Sequence, residues 1–191
     1  DSIELSDLVV NLQLVTQIPS SSADGKAPLT RITKLAAESA SGDRFVVDIR
    51  GKLYKLTGDG AAVYFDLAQM MPKFIHQSGL GTGFGSFAFH PDFETNGLLY
   101  TTHTEPARTA KADFGYSDSI KVSLQWVVSE WKTKEPLGVP FKGERRELFR
   151  VDMVNVIHGV QEIIFNPYAK PKDEDYGLLY IGIGDGGSAE Y

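Results

Sequence analysis

The chain has 191 residues, 42% hydrophobic and 23% charged, with a formal net charge of −6, a composition in the globular range rather than that of a disordered segment. No apolar run approaches the roughly 18 residues of a membrane helix, and the charge is spread, with Arg145-Arg146 the one tight basic cluster, which argues against a nucleic-acid partner. The chain contains no cysteine, and this excludes disulfides, thiolate nucleophiles and cysteine zinc sites together.

In chain order, residues 1–43 carry no diagnostic pattern. The start at Asp1, with no charged-then-apolar leader, fits either removal of a signal peptide or an arbitrary boundary. Residues 20–25, rich in Ser and ending in Asp-Gly, read as a surface loop, and residues 34–39 as a helical turn. Residues 44–49, 53–56 and 62–67 are short β-rich runs between Gly and Asp turns, and residues 67–71 could form a second helical turn. Gly79-Leu80-Gly81-Thr82-Gly83 lacks the Lys-Ser or Lys-Thr of a phosphate cradle and precedes a strand. Residues 103–119 read as a long polar loop of the kind that often roofs a channel. Residues 122–131 read as a strand, with Val122, Leu124, Trp126 and Val128 alternating, and Trp126 and Trp131 as core. His76, His90 and His103 show no metal-site spacing, and His90 fits a Phe-x-Pro turn. Asp173-Glu174-Asp175 fits a solvated hairpin tip better than a calcium loop.

Gly-x-Leu-Tyr recurs at Gly51-Lys52-Leu53-Tyr54, Gly97-Leu98-Leu99-Tyr100 and Gly177-Leu178-Leu179-Tyr180, spaced by 46 and 80 residues. The last two copies follow Phe89-His90-Pro91 and Phe165-Asn166-Pro167, so each reads as strand, turn, strand. With the longer interval counted as two units, the period matches the about 40 to 50 residues of a four-stranded blade. The expected fold is therefore all-β, a β-propeller of which about three to four blades are present. Six blades need roughly 240 residues, so this chain is expected to be the N-terminal part of a single propeller domain.

Ser86-Phe87-Ala88-Phe89-His90-Pro91-Asp92-Phe93, followed by Asn96-Gly97-Leu98-Leu99-Tyr100, resembles a signature of the soluble glucose, sorbosone and aldose dehydrogenases that use pyrroloquinoline quinone. Arg44-Phe45-Val46-Val47-Asp48, Arg146-Glu147-Leu148-Phe149-Arg150-Val151-Asp152 and the stretch 158–187 agree in order, so the resemblance covers most of residues 44–187. It implies a six-bladed propeller, periplasmic or secreted, that passes hydride from a sugar hydroxyl to the quinone. It also implies calcium, an external electron acceptor and the remaining propeller polypeptide as partners. In the family a histidine takes the proton from the sugar and an aspartate orients it. The matching positions are His158 and Asp185, in Ile183-Gly184-Asp185-Gly186-Gly187. A neutral imidazole accepts a proton near neutral pH, and a carboxylate on its other nitrogen fixes the tautomer. Taken without the family order, His158 fits an ordinary turn histidine and Asp185 a turn former flanked by glycines.

The chain departs from the family in three places. Gly159-Val160-Gln161-Glu162 replaces a glycine-rich run after the histidine, residues 168–175 are inserted, and Gly81 stands where some members carry a glutamine that touches the cofactor. Gln77 lies nearby but out of register. The quinone-gripping cations and the calcium ligands of the family are expected further along than Tyr191, so no cofactor or metal ligand is assigned. Two alternatives stay open: a non-catalytic propeller resembling hedgehog-interacting proteins, and a calcium-dependent lactone hydrolase.

Overall fold

The computed structural model describes residues 9–38, 40–58, 60–76 and 81–187. The expected all-β class holds: among the described residues, ten strands in antiparallel sheets are joined by two single-turn helices. In the first sheet β1 (Ile32–Ala37), β2 (Arg44–Asp48), β3 (Lys52–Thr57) and β4 (Gly60–Asp66) pair in chain order. After α1 (Leu67–Met70) the second sheet runs β5 (Phe84–Phe89), β6 (Leu98–Pro106), β7 (Leu124–Lys132) and β8 (Glu144–Met153), with α2 (Phe93–Asn96) in the β5–β6 connection. A third, two-stranded sheet pairs β9 (Glu162–Phe165) with β10 (Leu179–Gly182). The first strands of the three sheets, β1, β5 and β9, are neighbours. Sequential up-and-down sheets with adjacent first strands are consistent with consecutive blades of a partial propeller.

Two sheet interfaces form the core. Phe45, Val47, Leu53 and Phe65 of the first sheet meet Phe87, Phe89, Leu99 and Trp131 of the second. Phe65 and Trp131 sit edge to face with centroids 4.8 Å apart, a geometry that adds about 0.5–1.5 kcal/mol to the burial itself. The opposite face of the second sheet packs Ala88 and Tyr100 on Ile163 and Phe165, and Trp126 and Val128 on Val160. Both tryptophans are core residues, as the sequence reading expects.

Three sequence expectations are corrected here. Among the described residues there are two four-stranded sheets and one two-stranded sheet, and the 80-residue interval holds one unit rather than two. The second and third Gly-x-Leu-Tyr copies both open the second strand of a sheet, whereas the first opens the third strand. Long strands β6 to β8 and the connections 107–123 and 133–143 stretch the single unit. Second, residues 34–37 are strand rather than a helical turn, because pairing with β2 overrides the local propensity of Lys-Leu-Ala-Ala; Ser39 lies outside the described residues. Third, residues 103–106 of the expected loop belong to β6, where His103 and Glu105 are fully buried. Polar side chains made them read as loop, yet they pair inside the sheet. Helix α1, the loop at residues 20–25 and the strand in residues 122–131 lie where the sequence put them.

Candidate active site

The end of β8 leads into residues 154–161, a segment without regular structure that carries His158 and connects to β9. His158 adopts a left-handed backbone, φ 54°, which is uncommon for a residue with a side chain. It is held there by the chain after β10. The Gly184 N–H donates to the Gly159 carbonyl at 3.2 Å, and the Gly186 N–H donates to the His158 carbonyl at 3.1 Å. The second turn thus closes onto the first. A Cβ on Gly184 would come within 2.2 Å of the His158 carbonyl oxygen, and one on Gly159 within 1.8 Å of the Trp126 indole nitrogen. Only glycine permits either approach.

This clasp brings His158 and Asp185 together. His158 Nδ1 lies 2.9 Å from Asp185 Oδ1, and the same oxygen accepts the Gly187 N–H at 2.8 Å. The Gly187 N–H, then the His158 contact, hold the Asp185 carboxyl below its ordinary range against a small opposing effect of desolvation. The imidazole side chain is 62% exposed. With Nδ1 donating to the carboxylate, Nε2 is the proton acceptor.

Asp185 also lines a cleft of about 520 Å³ together with Asp113, Phe114, Tyr116, Asp152 and Met153. Sequence reasoning missed this wall. Asp113 to Tyr116 lie in the 107–123 connection, which docks along the outer strand of the second sheet. Phe114 forms a bridge with Val151, the Asp113 N–H donates to the Arg150 carbonyl at 3.0 Å, and the Asp152 N–H donates to the Phe114 carbonyl at 2.9 Å. Arg150 and Asp152 alternate onto one face of β8, but their sequence alone does not say what that face meets. Behind the wall, Arg150 bonds Glu105 at 2.8 Å and Gln125 at 3.0 Å, and Gln125 donates to Asp152 at 2.7 Å. Burial pushes the Glu105 carboxyl up, but the His103 and Arg150 hydrogen bonds outweigh it and hold the group down at about 2.

The other singled-out residues lie apart from this site. His90 Nδ1 accepts the Asp92 N–H at 3.0 Å inside its turn, and His103 is buried against Glu105 at 3.3 Å. Asp173 and Glu174 are exposed on the tip before β10. A Cβ at Gly81 would meet the Val156 carbonyl oxygen at 2.3 Å, so no side chain fits at the position where the resemblance led one to look for a glutamine. Gln77, Gly79 and Leu80 lie outside the described residues. Among the described residues no group of three or more His, Asp or Glu side chains is placed to hold a metal ion. No described helix is long and apolar enough to cross a membrane.

No family model matches the chain, and no curated protein does. Among solved structures the chain is similar to a provisionally assigned oxidoreductase (glucose dehydrogenase) from Thermus thermophilus, at 17% identity and a TM-score of 0.49, covering 72% of this chain and 34% of that one. The chain therefore spans about a third of that protein's length.

Proposed function

We propose that this chain contributes the proton-accepting side of a sugar (aldose) dehydrogenase site, with His158 as general base and Asp185 as its orienter. The 2.9 Å Nδ1 to Oδ1 contact carries the reading. It leaves Nε2 to take the proton of a sugar hydroxyl as the C–H bond is oxidised, while the ionised carboxylate stabilises the resulting imidazolium. General-base assistance of this kind is worth about 10²- to 10⁴-fold.

The proposed hydride acceptor is pyrroloquinoline quinone, with calcium beside it. The described residues around the dyad do not fit that cofactor. The cleft is lined by Asp113, Asp152 and Asp185, which repel a carboxylate-bearing quinone. The Arg108 guanidinium is engaged with the carbonyls of Tyr116, Ser117 and Ile120 and with Asp152. Burying the quinone's carboxylates requires cationic partners. We therefore place the quinone and calcium ligands on further propeller polypeptide, and the assembled protein in the periplasm or outside the cell, with an external electron acceptor.

The test uses the polypeptide or complex that carries this chain in its source, with quinone and calcium added and sugar-dependent dye reduction followed. His158→Ala should cost about 10²- to 10⁴-fold in turnover. Turnover equal to wild type would remove the dyad from the reaction. The crowding at Gly81 favours one other reading, a propeller binding module without catalysis. Stoichiometric sugar binding with no dye reduction in the wild-type protein would select it.

A further inference from the structure

We infer that the 113–116 segment is a preformed sugar-binding wall for the His158 and Asp185 site, with Tyr116 and Phe114 as its ring platform. The inference rests on the proposed sugar reaction and adds the residues that would hold the substrate beside the dyad. Phe114 and Tyr116 are 60% and 41% exposed. Large aromatic side chains left open on a flexible loop would mean little. Here the loop is built to hold them.

The ordering groups are buried or central to the loop. Asp152, 2% exposed, accepts the Tyr116 N–H at 3.4 Å through Oδ2 and the Gln125 amide at 2.7 Å through Oδ1. Gln125, fully buried, exchanges two bonds with Ala110: its Nε2 donates to the Ala110 carbonyl at 2.8 Å, and its Oε1 accepts the Ala110 N–H at 3.2 Å. The Arg150 N–H donates to the Asp113 carboxylate at 2.9 Å. Arg108 is the hub of the loop, donating to the carbonyls of Tyr116 at 3.4 Å, Ser117 at 3.2 Å and Ile120 at 3.2 Å. Phe114 is braced edge to face by Phe149, with centroids 5.7 Å apart and planes at 88°. Ordering before binding removes a cost that association otherwise carries.

The chemistry of the wall suits a neutral polyol. The electron-rich face of an aromatic ring attracts the partly positive C–H face of a pyranose, and the carboxylates of Asp113 and Asp185 accept hydroxyl protons. The cleft's volume of about 520 Å³ falls within the roughly 300–1,000 Å³ typical of small-molecule sites. Asp185 belongs both to this cleft and to the dyad, so the wall and the proposed base share one residue.

The test is amide mapping by NMR of the polypeptide or complex that carries this chain in its source, titrated with D-glucose. Shifts should concentrate at residues 113–116 and at Gly184. Tyr116→Ala should weaken binding about three- to tenfold, and Tyr116→Phe, which keeps the ring, should restore most of it. Arg108→Met should weaken binding with the ring still present, because the loop loses its hub. Glucose that leaves residues 113–116 unshifted, or binds Tyr116→Ala as tightly as wild type, overturns the wall. The dyad fails separately: unchanged turnover in His158→Ala, with glucose still mapping to 113–116, would remove the general base and leave the wall standing.

Discussion

Lys34 on β1 reaches past β5 to bond Glu162 on β9, joining the first and third sheets through the edge of the second. Its ammonium also donates to Ser86 Oγ at 3.1 Å and to the carbonyls of Phe87 at 3.0 Å and Ile163 at 2.8 Å. Ser86 in turn accepts the Ile163 N–H at 3.2 Å. One cation therefore sets the spacing of the three first strands, and β9 is the strand that His158 enters. Burial pushes the Lys34 amine below its usual range, with Glu162 opposing that effect.

The first prediction follows from this asymmetry. The Lys34 side chain is 14% exposed and that of Glu162 55%, so removing the carboxylate strands a mostly buried charge, whereas the carboxylate itself is half in water. Glu162→Gln should destabilise the chain by about 1–3 kcal/mol, read as a lower denaturant midpoint. A midpoint equal to that of wild type would mean that the Ser86, Phe87 and Ile163 oxygens already satisfy Lys34.

A second prediction concerns acid. Burial lowers the basicity of His103, despite the favourable contact with Glu105, so below the ordinary histidine value of 6.5 the unfolded chain binds a proton that the folded chain resists. That part of the stability is present above 6.5 and is lost as pH falls below it. Glu105, held at about 2 against an ordinary 4.5, adds stability that is present above 4.5 and lost between 4.5 and about 2. Both groups act in one direction, so stability should fall as pH drops below 6.5 through His103 and as it drops from 4.5 to about 2 through Glu105. Equilibrium unfolding followed against pH checks this, and His103→Gln should flatten the upper part of the curve. An equally steep fall between 6.5 and 4.5 in that variant would assign it to other groups.

Much of the fold was legible because its signals are local. Phe-x-Pro followed by Gly-x-Leu-Tyr marks the first two strands of the second and third sheets, since Pro ends a strand and Gly97, at φ 68°, or Gly177, at φ 77°, admits the left-handed turn back. The first copy misled because Gly51 also sits in a tight β-turn, but between β2 and β3. The His158 to Asp185 juxtaposition follows from the β9–β10 hairpin, which returns the chain to its starting level. The aromatic wall was not legible. Its placement depends on Arg150, Gln125 and Asp152 meeting across β7 and β8, and a buried polar network looks the same in sequence as a polar loop.

The last prediction addresses the clasp beneath the dyad. Gly184 lies against the His158 carbonyl so closely that a methyl group would come within 2.2 Å of its oxygen and 2.8 Å of its carbon, far inside van der Waals contact. Backbone is the obstacle, so no side-chain rotation relieves it. Gly184→Ala must push the 183–187 turn away from residues 158–159, breaking the Gly184 N–H to Gly159 carbonyl bond and drawing Asp185 off the imidazole. The cost should be about 1–3 kcal/mol of stability, as for other overpacked sites, while the core of the first two sheets, remote from the turn, stays folded. Two measurements separate local from global damage. The methyl resonances and the Trp131 indole of the core between the first two sheets report on the fold, and the His158 ring resonances report on the contact with Asp185. Core signals should persist with the His158 ring signals moved toward those of Asp185→Asn. If Gly184→Ala leaves the His158 ring signals as in wild type, the two turns are not clasped as described, and the dyad's geometry does not depend on this glycine.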